Sequence, residues 1–160
     1  MTDNMVWFEK GDTRFLLCTR DIAINRERVL LFNVVSWDWW ALPGGRNEML
    51  EQSGKALKRE MREEIASDVT VGRLVWIIEN FYKPQGTSYH EIGMYYLMAL
   101  SDNSIVFKSD EHTCKDGPVT LRFRWFPLAD IEQLEIRPAF LKEGLLHIPQ
   151  HTEYITWNDK

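Results

Sequence analysis

The chain has 160 residues, 44% of them hydrophobic and 27% charged, and it carries a net charge of −5 at pH 7. This length fits a single domain, expected over residues 1–160, with a sizeable buried core. The acidic balance argues against a protein that holds nucleic acid through a broad basic surface, and every apolar run is far shorter than the ~20 residues of a membrane-spanning helix.

The first part of the chain predicts two strands followed by a shaped loop. Phe15 to Ala23 and Arg28 to Val35 are rich in Val, Leu, Ile and Phe, and the polar Asn25-Arg26-Glu27 between them predicts a hairpin turn. Trp37 to Trp40 and then Pro43-Gly44-Gly45 break this pattern, because proline fixes its backbone and glycine permits conformations that other residues avoid. We therefore expect a glycine-rich loop after the second strand.

A helix is predicted from about Ser53, which is a candidate N-cap residue. Ala56, Leu57, Met61 and Ile65 fall on one apolar stripe, and Glu, Lys and Arg fill the remaining positions. This pattern is typical of a helix that packs one side against a core.

The second half of the chain predicts further strands. Val69 to Tyr82 and Ile92 to Leu100 are rich in β-branched and aromatic residues and indicate an antiparallel pair. Ser104 to Lys108 and Leu121 to Phe126 indicate two more strands, separated by a polar loop from Ser109 to Pro118.

The C-terminal part predicts one more helix. Pro138 suits the first turn of a helix that continues to Leu145. The residues after Leu145 are left unassigned. Together the elements predict an α/β fold with a mixed sheet, one helix after the second strand and another near the C-terminus, in α/β/α layering.

Three carboxylates lie on one side of the helix that begins near Ser53. Glu63 and Glu64 follow Glu60 by three and four residues, so the three side chains project from the same side. Like charges at these spacings destabilise a helix, and Arg59 offsets only part of that cost. A run of this kind is often a solvated surface, but hard divalent ions such as Mg²⁺ prefer oxygen ligands, and the preceding glycine loop favours a metal site.

The segment from Gly45 to Ser67 resembles the Nudix box: Gly, five residues, Glu, seven residues, then Arg-Glu-aliphatic-any-Glu-Glu-any-Gly-aliphatic. The matching residues are Gly45, Glu51, Arg59, Glu60, Met61, Glu63 and Glu64. Ala66 stands where Gly is usual, and Ser67 stands where an aliphatic residue is usual. Both departures lie at the end of the helix, where a residue in the left-handed conformation is common. The resemblance implies the family's α/β/α sandwich, with a catalytic helix after the glycine loop.

The resemblance also implies site residues and an activity. The implied metal ligands for Mg²⁺ or Mn²⁺ are Glu60, Glu63, Glu64 and the carbonyl of Gly44. Arg59 would orient Glu63, and Glu51 would hold the junction of loop and helix or contact a metal through water. The implied reaction is hydrolysis of a pyrophosphate bond in a nucleoside diphosphate linked to another moiety. That class includes nucleoside triphosphates, nucleotide sugars, ADP-ribose and dinucleoside polyphosphates.

The general base is left open by the sequence. The candidates are Glu60, Glu91 and Glu111, the last of which lies in the predicted polar loop. We include Glu111 among the candidate catalytic residues. His90 and His112 could assist, although a loop histidine is more commonly plain surface.

The substrate-binding residues are also left unassigned. Four aromatic side chains could stack on a nucleobase, although core packing is the commoner role for such residues: Trp37, Trp39, Phe81 and Tyr82.

Two alternatives to the small-molecule hydrolase are a Nudix-fold sensing or interaction module without turnover and an RNA decapping enzyme. The complete glutamate set favours the enzyme. We expect a small nucleotide-derived substrate, no nucleic acid or membrane partner, and a cytoplasmic location. The two cysteines, Cys18 and Cys114, are expected as free thiols. The oligomeric state is left open, a homodimer included.

Overall fold

The computed structural model describes residues 4–159, which form two sheets and two helices. The strands are β1 (Trp7–Lys10), β2 (Thr13–Ile22), β3 (Ile24–Asn25), β4 (Arg28–Val34), β5 (Gly44–Arg46), β6 (Val69–Tyr82), β7 (Ser88–Leu100), β8 (Glu111–Asp116), β9 (Val119–Pro127) and β10 (Glu153–Asn158). The helices are α1 (Ser53–Ile65) and α2 (Leu141–Gly144), and short 3₁₀ segments cover Pro84–Gly86, Ile105–Phe107 and Leu128–Gln133.

The larger sheet has six strands in the order β1-β2-β7-β6-β10, with β5 paired to the free part of β2. The β2–β7 and β6–β10 pairs are parallel and the others are antiparallel. The smaller sheet is antiparallel, in the order β3-β4-β9-β8. The predicted α/β fold with a mixed sheet is confirmed.

Helix α1 packs against both sheets through the predicted apolar stripe. Leu57, Met61 and Ile65 are fully or almost fully buried and share one hydrophobic cluster with residues of β4, β7 and β9. A second hydrophobic cluster covers the opposite face of the six-stranded sheet. Tyr95 belongs to this second cluster, whereas the adjacent Tyr96 packs against the first cluster, and neighbouring residues of a strand point to opposite faces. The six-stranded sheet is therefore covered on one side by α1 and on the other by the chain around α2.

The predicted hairpin between the first two strands is wrong, because β2 and β4 belong to different sheets. The chain leaves the larger sheet after Ile22, and the turn at Arg26 and Glu27 joins β3 to β4 instead. Both turn residues have positive φ, so the polar segment is a tight turn as expected. Apolar patterns identify the strands, but they do not identify their partners.

Two predictions between residues 104 and 118 are also wrong. The proposed strand Ser104 to Lys108 is a 3₁₀ turn, and the proposed polar loop Ser109 to Pro118 contains β8. Strand β8 lies at the edge of the smaller sheet and most of its residues are exposed. An exposed edge strand carries charged side chains and therefore resembles a loop in sequence.

The ends of the helices also differ from the predictions. Gln52 occupies the N-cap position of α1 without a side-chain cap, while the Ser53 hydroxyl lies 2.5 Å from the hydroxyl of Tyr96. The helix predicted from Pro138 to Leu145 is shorter, and the unassigned C-terminal residues contain β10.

Cys18 and Cys114 are free, as expected. Within residues 4–159, no helix is long and apolar enough to cross a membrane.

Candidate active site

The glycine loop lies in close contact with both β2 and α1. A Cβ atom on Gly44 would lie 2.1 Å from the carbonyl oxygen of Thr19, and the residue has a φ of 139°. A Cβ atom on Gly45 would lie 2.3 Å from Cδ of Glu60. Both contacts are too short for any side chain, so the two glycines allow β5 to approach the strand and the helix.

Arg59 connects the loop to the helix through Glu51. Its Nε and Nη2 atoms donate to the two carboxylate oxygens of Glu51 at 2.9 Å each, and Nη2 also donates to the carbonyl of Arg46 at 3.1 Å. Glu51 also accepts the backbone N–H of Glu48 at 3.0 Å. The hydrogen bonds from Arg59 lower the pKa of Glu51. Glu51 therefore lies at the junction of loop and helix.

Arg59 also holds Glu60 more closely than it holds Glu63. Its Nη1 atom donates to Glu60 at 2.7 Å and to Glu63 at 3.5 Å. The side chain of Glu63 is 60% exposed, whereas Glu60 is buried. The expected contact with Glu63 is therefore present, but Glu51 and Glu60 are the main partners of Arg59.

Glu64 has a buried carboxylate oxygen that lacks a partner. Within residues 4–159, its Oε2 atom is inaccessible to solvent and accepts no hydrogen bond. Burial raises the pKa of Glu64 to about 9, and the negative charges of Glu60 and Asp116 add to the effect. Burial also raises the pKa of Glu60, against the hydrogen bond from Arg59. Such a set of carboxylates is costly unless a cation neutralises it.

These residues fit a divalent cation, although the described part of the chain contains no complete ligand cluster. No three His, Cys, Asp or Glu side chains converge closely enough there to hold a metal. Glu60 turns toward Arg59 and Glu63 extends into solvent. The unpartnered oxygen of Glu64 and the close approach of Gly45 to Glu60 support the fit. Oxygen-rich sites of this kind suit Mg²⁺ or Mn²⁺.

The structure does not bring Glu111 together with these carboxylates. Glu111 begins β8 and pairs with Arg124, and its nearest charged partner is Arg122 at 3.9 Å. Antiparallel partners share a face and neighbours alternate, so Glu111 lies on the face opposite Phe123, which packs with α1. His112 lies on the face of Phe123, with 6.2 Å between the ring centroids.

Glu91 and His90 lie on opposite faces of the larger sheet. The hydroxyl of Tyr82 donates to Glu91 at 3.1 Å, and Nη2 of Arg20 lies 3.7 Å from the same oxygen. His90 is hydrogen-bonded to Glu79 at 2.7 Å through Nε2. Glu91 and His90 therefore have polar partners on the sheet, whereas the Oε2 atom of Glu64 has none among the described residues.

The aromatic candidates for base stacking already contact other rings. Trp37 and Trp39 stack on each other with centroids 4.0 Å apart. Phe81 stacks on His90 with ring centroids 4.5 Å apart, and Tyr82 stacks on Tyr89 of the paired strand with centroids 4.8 Å apart.

Three charged residues near the site were missed by the sequence analysis. Asp21 is fully buried, and within the described residues neither of its carboxylate oxygens has a partner at hydrogen-bonding geometry. Burial raises the pKa of Asp21, and the nearby backbone of Ala23 and then the charge of Arg20 oppose that effect. Asp116 contributes negative charge at Glu64. Arg20 and Asp21 are two adjacent charged residues within the predicted strand Phe15 to Ala23, which is a signal that could have identified them; Asp116 gives no such signal.

Comparisons with known proteins identify the family and the fold. The NUDIX domain model matches residues 6–145. A search of curated proteins finds no match. A MutT protein from Bacillus halodurans is 19% identical, with a TM-score of 0.65 and 89% of each chain covered. An ADP-ribose pyrophosphatase from Streptococcus suis is 19% identical, with a TM-score of 0.60 over 90% of this chain and 98% of that one.

A third similar structure is that of a UDP-X diphosphatase, with 18% identity and a TM-score of 0.63. The match covers 88% of this chain but only 66% of the diphosphatase. At these identities, the three structures establish the fold, whereas the domain model covers most of the chain. The chain therefore belongs to the NUDIX domain family and has the fold of its hydrolases.

Proposed function

We propose that this chain is a pyrophosphohydrolase, dependent on Mg²⁺ or Mn²⁺, that cleaves a nucleoside diphosphate linked to another moiety. The observation that carries the proposal is the buried, unpartnered Oε2 atom of Glu64 on the same helix as Glu60. Structural neighbours named as a UDP-X diphosphatase and an ADP-ribose pyrophosphatase support the substrate class.

The metal would be held by the helix and the glycine loop. Its proposed ligands are Glu60, Glu63, Glu64 and the carbonyl of Gly44. When bound, a divalent ion neutralises the pyrophosphate and lowers the pKa of a coordinated water. It also allows a chain with a net charge of −5 to bind a polyanion.

The remaining residues of the box position these carboxylates. Arg59 holds Glu60 at 2.7 Å and is itself held by both oxygens of Glu51. Among the candidate general bases, Glu60 is the one that lies on α1 with Glu63 and Glu64. We therefore place the proton acceptor at Glu60 rather than at Glu111. The proposed substrate is small and nucleotide-derived, and the proposed location is the cytoplasm, without a membrane or nucleic acid partner.

A substrate panel tests this function. Purified protein is incubated with GTP, UDP-glucose, ADP-ribose or diadenosine tetraphosphate, in Mg²⁺, in Mn²⁺ and in EDTA. Nucleotide products are followed by chromatography. We expect turnover of at least one compound with a metal and none in EDTA. Inactivity toward the whole panel in both metals would contradict the proposal and favour a sensing module without turnover.

A further inference from the structure

The side chains of Thr19 and Asp21 project from β2 toward helix α1. In the sheet register Asp21 lies opposite Tyr96 of β7, whose hydroxyl lies 2.5 Å from that of Ser53 at the start of α1. Paired residues of neighbouring strands share a face, and so do alternate residues of one strand. Thr19 and Asp21 therefore face the helix, whereas Arg20 between them faces the opposite side of the sheet.

The carboxylate of Glu60 lies on this same face, against the glycine loop. Gly45 pairs with Thr19 in the antiparallel register, and a Cβ atom on Gly45 would lie 2.5 Å from each carboxylate oxygen of Glu60. Glu64 follows about one turn later on the helix. The two side chains of β2 and the two carboxylates of the helix therefore face each other between β2 and α1.

Four oxygen atoms around this space are buried and unsatisfied. Thr19 and Asp21 are both fully buried. Within residues 4–159, Oγ1 of Thr19, both carboxylate oxygens of Asp21 and Oε2 of Glu64 have no partner at hydrogen-bonding geometry. Buried polar atoms of this kind cost free energy until a partner satisfies them. Ionised carboxylates only accept, so the partner must be a cation or a donor.

The arginines nearest this space do not supply that partner. Arg59 makes five hydrogen bonds, four to glutamates of the loop and helix and one to a backbone carbonyl. Arg20 pairs with Tyr95 in the register, on the face of the sheet away from α1. Water alone would satisfy the hydrogen bonds but would leave the negative charges together. A hydrated cation from solution supplies both the donors and the charge.

We propose that Asp21 and Thr19 hold the water molecules of the bound divalent cation from the strand side, opposite the glutamates of α1. This inference rests on the proposed function, because it concerns the same metal. Within the described residues, no three acidic side chains converge closely enough to hold a metal directly. Mg²⁺ usually keeps several of its waters, which would bridge the remaining distance. Asp21 and Thr19 are therefore positioning residues that act through these waters.

Metal binding in the absence of substrate tests this inference. Mn²⁺ is titrated into the wild type, Asp21→Asn and the control Asp130→Asn, and free Mn²⁺ is measured by electron paramagnetic resonance. Asp130 is an exposed carboxylate on the 3₁₀ segment after β9, so its variant controls for the change in net charge. Loss of an outer-shell partner predicts metal binding weakened by about 10-fold to 100-fold for Asp21→Asn, and we expect no change for Asp130→Asn.

Thermal unfolding separates this role from a purely structural one. Asn is nearly the same size as Asp but carries no charge, so Asp21→Asn in EDTA should be at least as stable as the wild type. The rise in Tm on addition of Mn²⁺ should be smaller in Asp21→Asn, because weaker binding stabilises less. A lower Tm than the wild type in EDTA, together with wild-type affinity for Mn²⁺, would assign Asp21 a structural role and overturn the inference.

Thr19→Val is a second variant, in which the fold should persist because the lost hydroxyl has no partner. Loss of one hydrogen bond to a metal-bound water predicts Mn²⁺ affinity reduced by about 2-fold to 10-fold. If Asp21→Asn does not fold, wild-type affinity in Thr19→Val would overturn the inference.

The outcomes also separate this inference from the proposed function. Unchanged Mn²⁺ affinity in a folded Asp21→Asn variant, or no Mn²⁺ binding by the wild type, would overturn the role of Asp21 even if the substrate panel shows turnover. Binding that depends on Asp21 in a protein that is inactive toward the panel would support the inference and contradict the hydrolase.

Discussion

Gly45 and Glu60 lie so close together that the Glu60 carboxylate fills the space a side chain at position 45 would need. The motif predicts a glycine here because the loop needs conformational freedom. The structure adds a steric reason, since a Cβ atom would lie 2.5 Å from both carboxylate oxygens of Glu60. The glycine is therefore part of the arrangement that places the carboxylate beside Arg59.

Gly45→Ala is expected to lower turnover by about 10-fold to 100-fold, because the Glu60 carboxylate must move and small misplacements of this kind are costly. The rate is measured on whichever panel substrate the wild type cleaves. Gly54→Ala is the matched control: its added Cβ would meet Val71 at 3.7 Å, an ordinary contact. A wild-type rate for Gly45→Ala would show that the contact with Glu60 has no role.

The sequence predicts the residues of α1 well because helical spacing fixes their relative positions. Glu60 and Glu64 are four residues apart, and one turn of helix places them on one side whatever the rest of the fold is. Asp116 comes close to Glu64 through strand pairing, which no local pattern encodes. The polar sequence around Glu111 predicts a loop, but the strand that contains Glu111 directs its side chain to the face of the smaller sheet opposite Phe123.

At the scale of elements, helix α1 ends in a left-handed residue, as the motif implies. Ala66 has a φ of 47° and donates its N–H to the carbonyl of Met61. The following residue, Ser67, also donates to that carbonyl at 3.3 Å, so two N–H groups close the helix. An alanine in this conformation is strained by its Cβ atom, whereas glycine is not.

Ala66→Gly is therefore expected to raise the free energy of unfolding by about 0.5 to 1 kcal/mol, the relief of strain being partly offset by the freer unfolded chain. Urea unfolding followed by circular dichroism measures the change. Ala56→Gly, in the buried interior of the same helix, should lower it by about 1 kcal/mol or more. An unchanged or lower stability for Ala66→Gly would contradict the strain at this position.

The elements that sequence patterns miss are those whose burial depends on distant segments. Strand β8 is an exposed edge, and β10 forms only by pairing in parallel with β6. In β10 the exposed Tyr154 and Thr156 alternate with the partly buried Ile155 and Trp157, a pattern too short to be decisive alone. The long strands β6 and β7 are predicted well because their apolar patterns are extended.

At the scale of the whole molecule, the fold brings a glycine loop and an acidic helix together at one place. Strand β5 pairs with β2 over Cys18 to Arg20, and α1 packs against both strands. The chain crosses from the larger sheet to the smaller one before it returns to form this loop. That crossing could not be predicted from sequence, because the first two strands look like the arms of a hairpin.

The central claim is that the glutamates of α1 bind the metal that supports hydrolysis of a pyrophosphate bond. The most direct test is the turnover of Glu64→Gln in saturating Mg²⁺, beside the control Glu143→Gln on the exposed part of α2. Gln is nearly the same size as Glu, so circular dichroism should show an intact fold. Loss of a metal ligand predicts a fall of at least ~10²-fold for Glu64→Gln and none for the control. A rate close to that of the wild type for Glu64→Gln would contradict the metal assignment.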